Sequence, residues 1–154
     1  MNVLIVGCGY LGMRVGALLK ASAARVFAST RTEARVGALS EAGFEPVLID
    51  TARPETLDSL PDVSHVFHCV GFDRSAEQTV REVRVDGLKR LCARLAAPLR
   101  FVYASTTGVY GQDDGGWVDE SSPCMPTNES GRVGLEAEEA VRGFALATGS
   151  SSVV

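Results

Sequence analysis

The chain has 154 residues with 15 Lys and Arg against 19 Asp and Glu, a formal net charge of −4 with both histidines neutral, and 45% hydrophobic and 22% charged residues. That balance is ordinary for a globular protein and excludes a disordered tail or a collagen-like rod, and a single domain of this length buries enough surface to stand without staples. The mild acidic excess argues against nucleic acid or an anionic membrane surface, both of which require clustered Lys and Arg, and leaves small molecules or proteins as partners.

Residues 3–6 form an unbroken apolar run, Val-Leu-Ile-Val, ended by Gly7, which is the pattern of a strand buried on both faces. The run is too short for a signal peptide and has no basic leader, and no stretch approaches the ~20 apolar residues that span a bilayer, so a cytoplasmic location is expected. Leu11, Val15, Leu18 and Leu19 recur on one side of a helix ending near Lys20. Residues 25–29 read as a second strand, 31–42 as a helix closed by Gly43, and 44–49 as a third strand. Residues 54–60 make at most a short helix, with Pro54 suited to its first turn and Pro61 stopping it. Residues 65–70 read as a fourth strand.

Val80, Val83, Leu88, Leu91, Cys92 and Leu95 draw a long amphipathic stripe over residues 75–96, and 99–104 follow Pro98 as a fifth strand. Residues 111–128 are rich in Gly, Asp, Ser and Pro, with Trp117 and Val118 their one adjacent large apolar pair; a loop this long is usually functional. Residues 129–148 are helical, with Ala137, Val141, Phe144 and Ala145 on one side, and 150–154 begin a sixth strand that is cut short. Such alternation selects an α/β fold, a doubly wound parallel sheet with helices on both faces. The four cysteines, Cys8, Cys69, Cys92 and Cys124, are widely spaced and without a C-x-x-C pair, which reads as reduced thiols and no zinc site.

Gly7-Cys8-Gly9-Tyr10-Leu11-Gly12 is G-x-G-x-x-G, and its place between the first strand and the first helix is the context of a dinucleotide fingerprint and a Rossmann-like sheet. Gly7 permits the tight turn, Gly9 lets the backbone approach a pyrophosphate, and Gly12 allows close packing of helix on strand. The helix N-terminus beyond, at Tyr10 and Leu11, offers unpaired N–H groups to the phosphates. At the tip of the second strand an NAD site places an acid, whereas this chain reads Ser29-Thr30-Arg31-Thr32-Glu33-Ala34-Arg35. Cations and hydroxyls there favour a 2′-phosphate and hence NADP, with Arg31 as main contact and Arg35 as a second. The alternative is NAD, with Glu33 on the ribose and the arginines solvated.

These residues resemble the extended short-chain dehydrogenases, in particular the NAD-dependent epimerase/dehydratase family, over most of the chain in order. Val47-Leu48-Ile49-Asp50 is similar to the family's third strand, and the resemblance implies that Asp50 contacts the adenine amine. His68-Cys69-Val70-Gly71 takes the place of the small-residue turn under the cofactor ribose, which implicates Val70 and Gly71. Tyr103-Ala104-Ser105-Thr106-Thr107-Gly108-Val109-Tyr110-Gly111 is similar to the S-S-x-x-V-Y-G segment, so Thr106 matches the catalytic Ser/Thr and could hydrogen-bond a substrate carbonyl. As a strand-end hydroxyl, Thr106 could equally satisfy backbone groups. Trp117-Val118-Asp119-Glu120 through Pro126 resembles the acidic, proline-containing loop that follows.

Gly131-Arg132 and Leu135-Glu136-Ala137-Glu138, set on the family's Y-G-R-S-K-L-E-A-E, put Ser130 at the tyrosine and Gly134 at the lysine. A phenol near pKa 10 needs an adjacent ammonium to exchange a proton at neutral pH, and serine with glycine cannot reproduce that. Arg84 stands where the family carries an Asn. Two readings stay open. One is an atypical NAD(P)-dependent oxidoreductase-like protein acting on a carbonyl or sugar-nucleotide-type substrate through Thr106. The other is a non-catalytic dinucleotide-sensing module. His65 is expected to be exposed and His68 to lie near the cofactor edge, while Asp113-Asp114 and Asp119-Glu120 read as solvated loop acids rather than metal ligands. The resemblance also implies a C-terminal substrate region beyond residue 154, so 1–154 reads as a dinucleotide-binding portion of a longer protein, and a homodimer through the helices at 75–96 and 129–148.

Overall fold

Val3 and Ile5 pack on one side of strand β1 (Asn2–Val6) and Leu4 and Val6 on the other, each pair joining a separate apolar cluster. That two-sided burial is what an unbroken apolar run produces in a parallel sheet. In the computed structural model, which describes residues 1–73 and 77–154, β1 lies between β2 (Arg25–Thr30) and β4 (His65–His68). Outside them come β3 (Glu45–Leu48) next to β2, and β5 (Arg100–Tyr103) then β6 (Ser151–Val153) next to β4. The order is β3-β2-β1-β4-β5-β6 and every pair is parallel, a doubly wound, Rossmann-like sheet. Helices α1 (Tyr10–Ala21) and α2 (Val36–Glu41) cover the Val3 and Ile5 face. A π-helical turn, Glu82–Asp86, running into α3 (Gly87–Cys92), and α4 (Glu129–Thr148) cover the other. The strand order reverses between β1 and β4, which opens a crevice at the carboxyl ends of the strands. Among the described residues no helix is long and apolar enough to cross a membrane.

The element order agrees with the sequence pattern, and the differences lie at the ends. Residues 31–42 are not one helix. The Thr30 hydroxyl accepts the Thr32 N–H at 3.2 Å, Thr32 stays extended, and only a 3-10 turn at Glu33–Arg35 precedes α2. The long stripe begins on Ser75, outside the described residues, and its helix ends at Cys92, where the chain turns ahead of Pro98. Residues 54–60 shrink to a 3-10 turn, Pro54–Leu57. The sixth strand pairs with β5 in register, Arg100 with Ser151 and Val102 with Val153.

The expectation for His68 is corrected. Alternation on β4 places it with Val66 on the α3 and α4 face, where it is 2% exposed, stacked on Tyr103 at 5.4 Å and on Phe101 at 6.4 Å, rather than at the cofactor edge. His65 is half-buried, its Nδ1 2.9 Å from the Ser64 hydroxyl. Neither ring nitrogen of His68 has a hydrogen-bond partner among the described residues, and burial pulls its pKa down from 6.5 to about 4. As pH falls below 6.5 the unfolded chain takes up a proton that the folded chain refuses. Stability is therefore expected to drop by up to about 3 kcal/mol between pH 6.5 and 4 through this group. Urea unfolding of the wild type and of His68→Phe at several pH values checks it: the gap between the two curves should widen across that window, and a constant gap refutes the assignment.

Candidate dinucleotide cleft and the neighbouring recess

Gly7 leaves β1 with φ +88°, a conformation costly for any residue with a side chain. A Cβ there would sit 2.8 Å from the backbone N and Cα of Val70, so the β1 and β4 loops cross in contact. Gly12 meets a second close approach, its missing Cβ lying 3.0 Å from the Gly7 carbonyl and from Ile5 Cγ2. Gly9 differs, since nothing lies within 4 Å of the Cβ it lacks, and that direction is open for a ligand to approach the main chain. No side chain caps α1 and no acid stands in its first turn, which leaves its first N–H groups, at Tyr10 and Leu11, to an incoming anion.

Above these groups runs a cleft of about 450 Å³, lined by Gly7, Gly9, Tyr10, Leu11, Cys69, Val70 and Gly71 at the glycine-turn end. Ser29, Thr30, Arg31, Thr32 and Arg35 line its other end. The irregular stretch after Thr30 is what holds Arg31 and Thr32 there. Glu33 does not line the cleft, while Arg35 lies near enough to Cys8 to draw its thiol pKa down against the larger upward push of burial. The Cys69 thiol, pushed up to about 12 by burial, donates to the Gly7 carbonyl at 3.1 Å, so at neutral pH it is a protonated wall and not a nucleophile. Asp50 borders a smaller recess shared with Arg31, Val70 and Gly71. Its carboxylate accepts the Ala52 N–H at 3.0 Å and lies 3.7 Å from Arg53 Nε. Sequence reasoning did not single out Ser29, whose hydroxyl accepts the Gly7 N–H at 2.9 Å and ties β2 to the glycine turn.

Thr106 follows β5 and starts a 3-10 turn, Thr107–Val109, its Oγ1 accepting the Gly108 N–H at 3.3 Å. The hydroxyl therefore does satisfy backbone, and its own proton is left to donate elsewhere. Position 134 lies against it: a Cβ on Gly134 would stand 3.0 Å from Thr106 Cγ2 and 3.2 Å from Val109 Cγ1. One turn earlier on α4, the exposed Ser130 hydroxyl accepts from Arg84 Nη1 at 3.3 Å. Below them Tyr103 is buried, and burial raises its phenol pKa, with Arg84 opposing the rise and Glu138 adding to it.

A second recess of about 430 Å³ is lined by Thr106, Tyr110, Cys124 and Arg142 together with Ser105 and Glu138. Glu138 is a buried carboxylate that sequence reasoning left out. It accepts the Ser105 hydroxyl at 2.5 Å and Arg142 Nη2 at 2.9 Å, so its charge is held by two donors. A lone acid among the apolar positions of α4, one turn beyond Gly134, was the signal available for it. In the loop at 111–128 the Trp117 ring stands fully exposed, and Asp119 spends its carboxylate on Ser121 and Ser122.

Residues 3–154 match the sequence profile of the NAD dependent epimerase/dehydratase family. Protein YeeZ of Escherichia coli K12 is 32% identical over 150 residues, covering 90% of this chain and 52% of YeeZ. A crystal structure of a short-chain dehydrogenase/reductase superfamily protein from Agrobacterium tumefaciens with bound NAD superposes with a TM-score of 0.80 at 28% identity, over 99% of this chain and 48% of that one. The UDP-Glc/GlcNAc 4-epimerase of Campylobacter jejuni, at 19% identity and a TM-score of 0.79 over 96% of this chain and 50% of its own, shares the fold. The chain spans about half the length of the curated relatives it matches.

Proposed function

The chain belongs to the NAD dependent epimerase/dehydratase family, and from that membership we propose that it binds NADP(H) over Gly7, Gly9 and Gly12 and presents the nicotinamide to a small carbonyl or sugar-nucleotide-type substrate at Thr106. The NAD bound to the Agrobacterium protein supports a nicotinamide dinucleotide. The phosphorylated form rests on one observation above others: Arg31, Thr32 and Arg35 line the far end of the cleft and Glu33 does not. A guanidinium fork matches a 2′-phosphate through two parallel hydrogen bonds, whereas a ribose diol is best met by a carboxylate. In this reading the α1 N-terminus takes the pyrophosphate, Asp50 the adenine edge, and Val70 with Gly71 the floor under the second ribose.

The cofactor, when bound, supplies or accepts hydride. The chain's own residues contribute a hydroxyl at Thr106 and no phenol–ammonium pair, since Ser130 and Gly134 hold those positions. That vacancy of acid–base groups favours a second reading, a dinucleotide-sensing module without turnover. Replacing Arg31 with alanine is expected to weaken NADPH roughly 10- to 100-fold, the scale of one lost charge-assisted fork, and to leave NADH within about twofold. An NADPH-oxidation screen over carbonyl and sugar-nucleotide compounds then separates the readings: turnover that disappears in Thr106→Val marks an enzyme, and tight binding without turnover marks a sensor.

A further inference from the structure

Three cationic side chains stand apart from the rest. Among the described residues every other lysine and arginine gives a hydrogen bond or an ion pair to the protein, whereas Arg14, Arg31 and Arg35 give neither. All three gather at one end of the dinucleotide cleft. Arg31 and Arg35 line the cleft itself, and Arg14 with Arg35 lines a second, shallow recess along α1. Gly9, Tyr10 and Arg35 belong to both linings, so the two spaces meet along a shared wall. No acidic side chain among the described residues lines either one.

Guanidinium charges gathered without a counter-ion repel one another, and the positive end of α1 at Tyr10 and Leu11 adds to the same field. A bound anion relieves that repulsion. Arg14 is also held in place for one. Its guanidinium lies over the ring of Tyr10, one helical turn earlier on the same face of α1, at 4.4 Å from the centroid. Contact with a ring fixes where the head lies without using a hydrogen-bond acceptor, so its five N–H donors stay available. Tyr10 is 78% exposed, so its ring fills no core and serves as a platform at the rim between the two spaces.

We propose that Arg14 is the third cation of a 2′-phosphate site, closing on the phosphate from the α1 side while Arg31 meets it from within the cleft and Arg35 reaches both spaces. This rests on the reading of the cleft as an NADP(H) site and adds to it a residue outside the cleft lining. A phosphomonoester carries close to two negative charges and three acceptor oxygens at pH 7, more than one guanidinium fork can meet and a set that several arginines share. Arg14 thereby sets specificity for the phosphorylated adenosine ribose, and the nicotinamide half of the cofactor gains nothing from it.

The probes are NADPH, NADH and adenosine 2′,5′-bisphosphate, which keeps the 2′-phosphate and lacks the nicotinamide. Each is titrated calorimetrically into the 154-residue chain and into Arg14→Gln, Arg14→Lys and Tyr10→Leu. Arg14 and Tyr10 are both exposed, so the variants keep the fold, and unchanged NADH binding in the Arg14 variants verifies it. The expected result in Arg14→Gln is a loss of roughly tenfold for NADPH and for the bisphosphate alike, with NADH within about twofold of wild type. Arg14→Lys should keep part of the affinity, and Tyr10→Leu, which frees the guanidinium without removing it, should lose roughly threefold for the two phosphorylated probes. Unchanged NADPH and bisphosphate binding in Arg14→Gln, or equal losses for NADPH and NADH, overturns the proposal. Failure of the NADP(H) reading shows in the wild type alone: NADH then binds as tightly as NADPH, or neither binds, and the role of Arg14 falls with it. A wild type that prefers NADPH and an Arg14→Gln variant that keeps the whole preference overturn the role of Arg14 and leave that reading standing.

Discussion

Alanine at Gly7 is expected to weaken dinucleotide binding roughly 100-fold and to destabilise the fold at the same time. The left-handed backbone at φ +88° costs an alanine about 1–2 kcal/mol, and its Cβ, 2.8 Å from the Val70 backbone, pushes the two walls of the cleft apart. The strain falls on the free and bound protein alike and reads as lost stability, whereas the displaced walls cost binding, where about 2.8 kcal/mol is a factor of 100. Alanine at Gly9 separates the two effects. Its φ of −89° is open to any residue but its ψ of −146° lies past the β region, and no atom lies within 4 Å of the new Cβ, so the stability cost should be about 1 kcal/mol, well below that at Gly7. The methyl nevertheless stands where a pyrophosphate must approach, and binding should still fall at least tenfold. Urea unfolding and fluorescence titration with NADPH on both variants check the pair; Gly9→Ala binding as tightly as wild type contradicts a phosphate over this turn.

Truncating Phe101 to alanine is expected to cost about 3–5 kcal/mol. Phe101 is 0% exposed at the centre of β5, packed edge-on against Phe144 of α4 at 5.8 Å and against the His68 ring at 6.4 Å. It joins the sheet to the helix that carries Ser130 and Gly134, so little can collapse into the space it leaves. Against a total stability of about 5–15 kcal/mol, such a loss leaves a marginal fold at 25 °C. Denaturant unfolding reads it directly, and a loss below about 1 kcal/mol refutes this packing account.

What the sequence made legible follows physical range. Val3 to Val6 declared a two-faced strand because burial on both sides leaves no room for alternation, and Gly7, Gly9 and Gly12 declared the tight turn between strand and helix by their spacing. The extended Thr30–Thr32 stretch was hidden, since the Thr30 hydroxyl decides between helix and loop there by donating to the Thr32 carbonyl and accepting its N–H. His68 was misplaced because periodicity tells which residues share a face but not which helix covers that face. The Ser105–Glu138 bond spans 33 positions and Arg84–Ser130 spans 46, and neither leaves a local mark in the chain. The glycine turn under the cleft was therefore readable from a contiguous motif, whereas the recess around Thr106 is assembled from residues after β5 and from α4 only once the chain has folded.

The central claim is that the cleft over Gly7, Gly9 and Gly12 holds a nicotinamide dinucleotide with its 2′-phosphate on Arg31 and Arg35. Calorimetric titration of the wild-type chain with NADPH and with NADH under identical salt tests it most directly. The account predicts saturable one-to-one binding of both with NADPH at least tenfold tighter, and NADH binding tighter than NADPH, or neither binding at all, would contradict it.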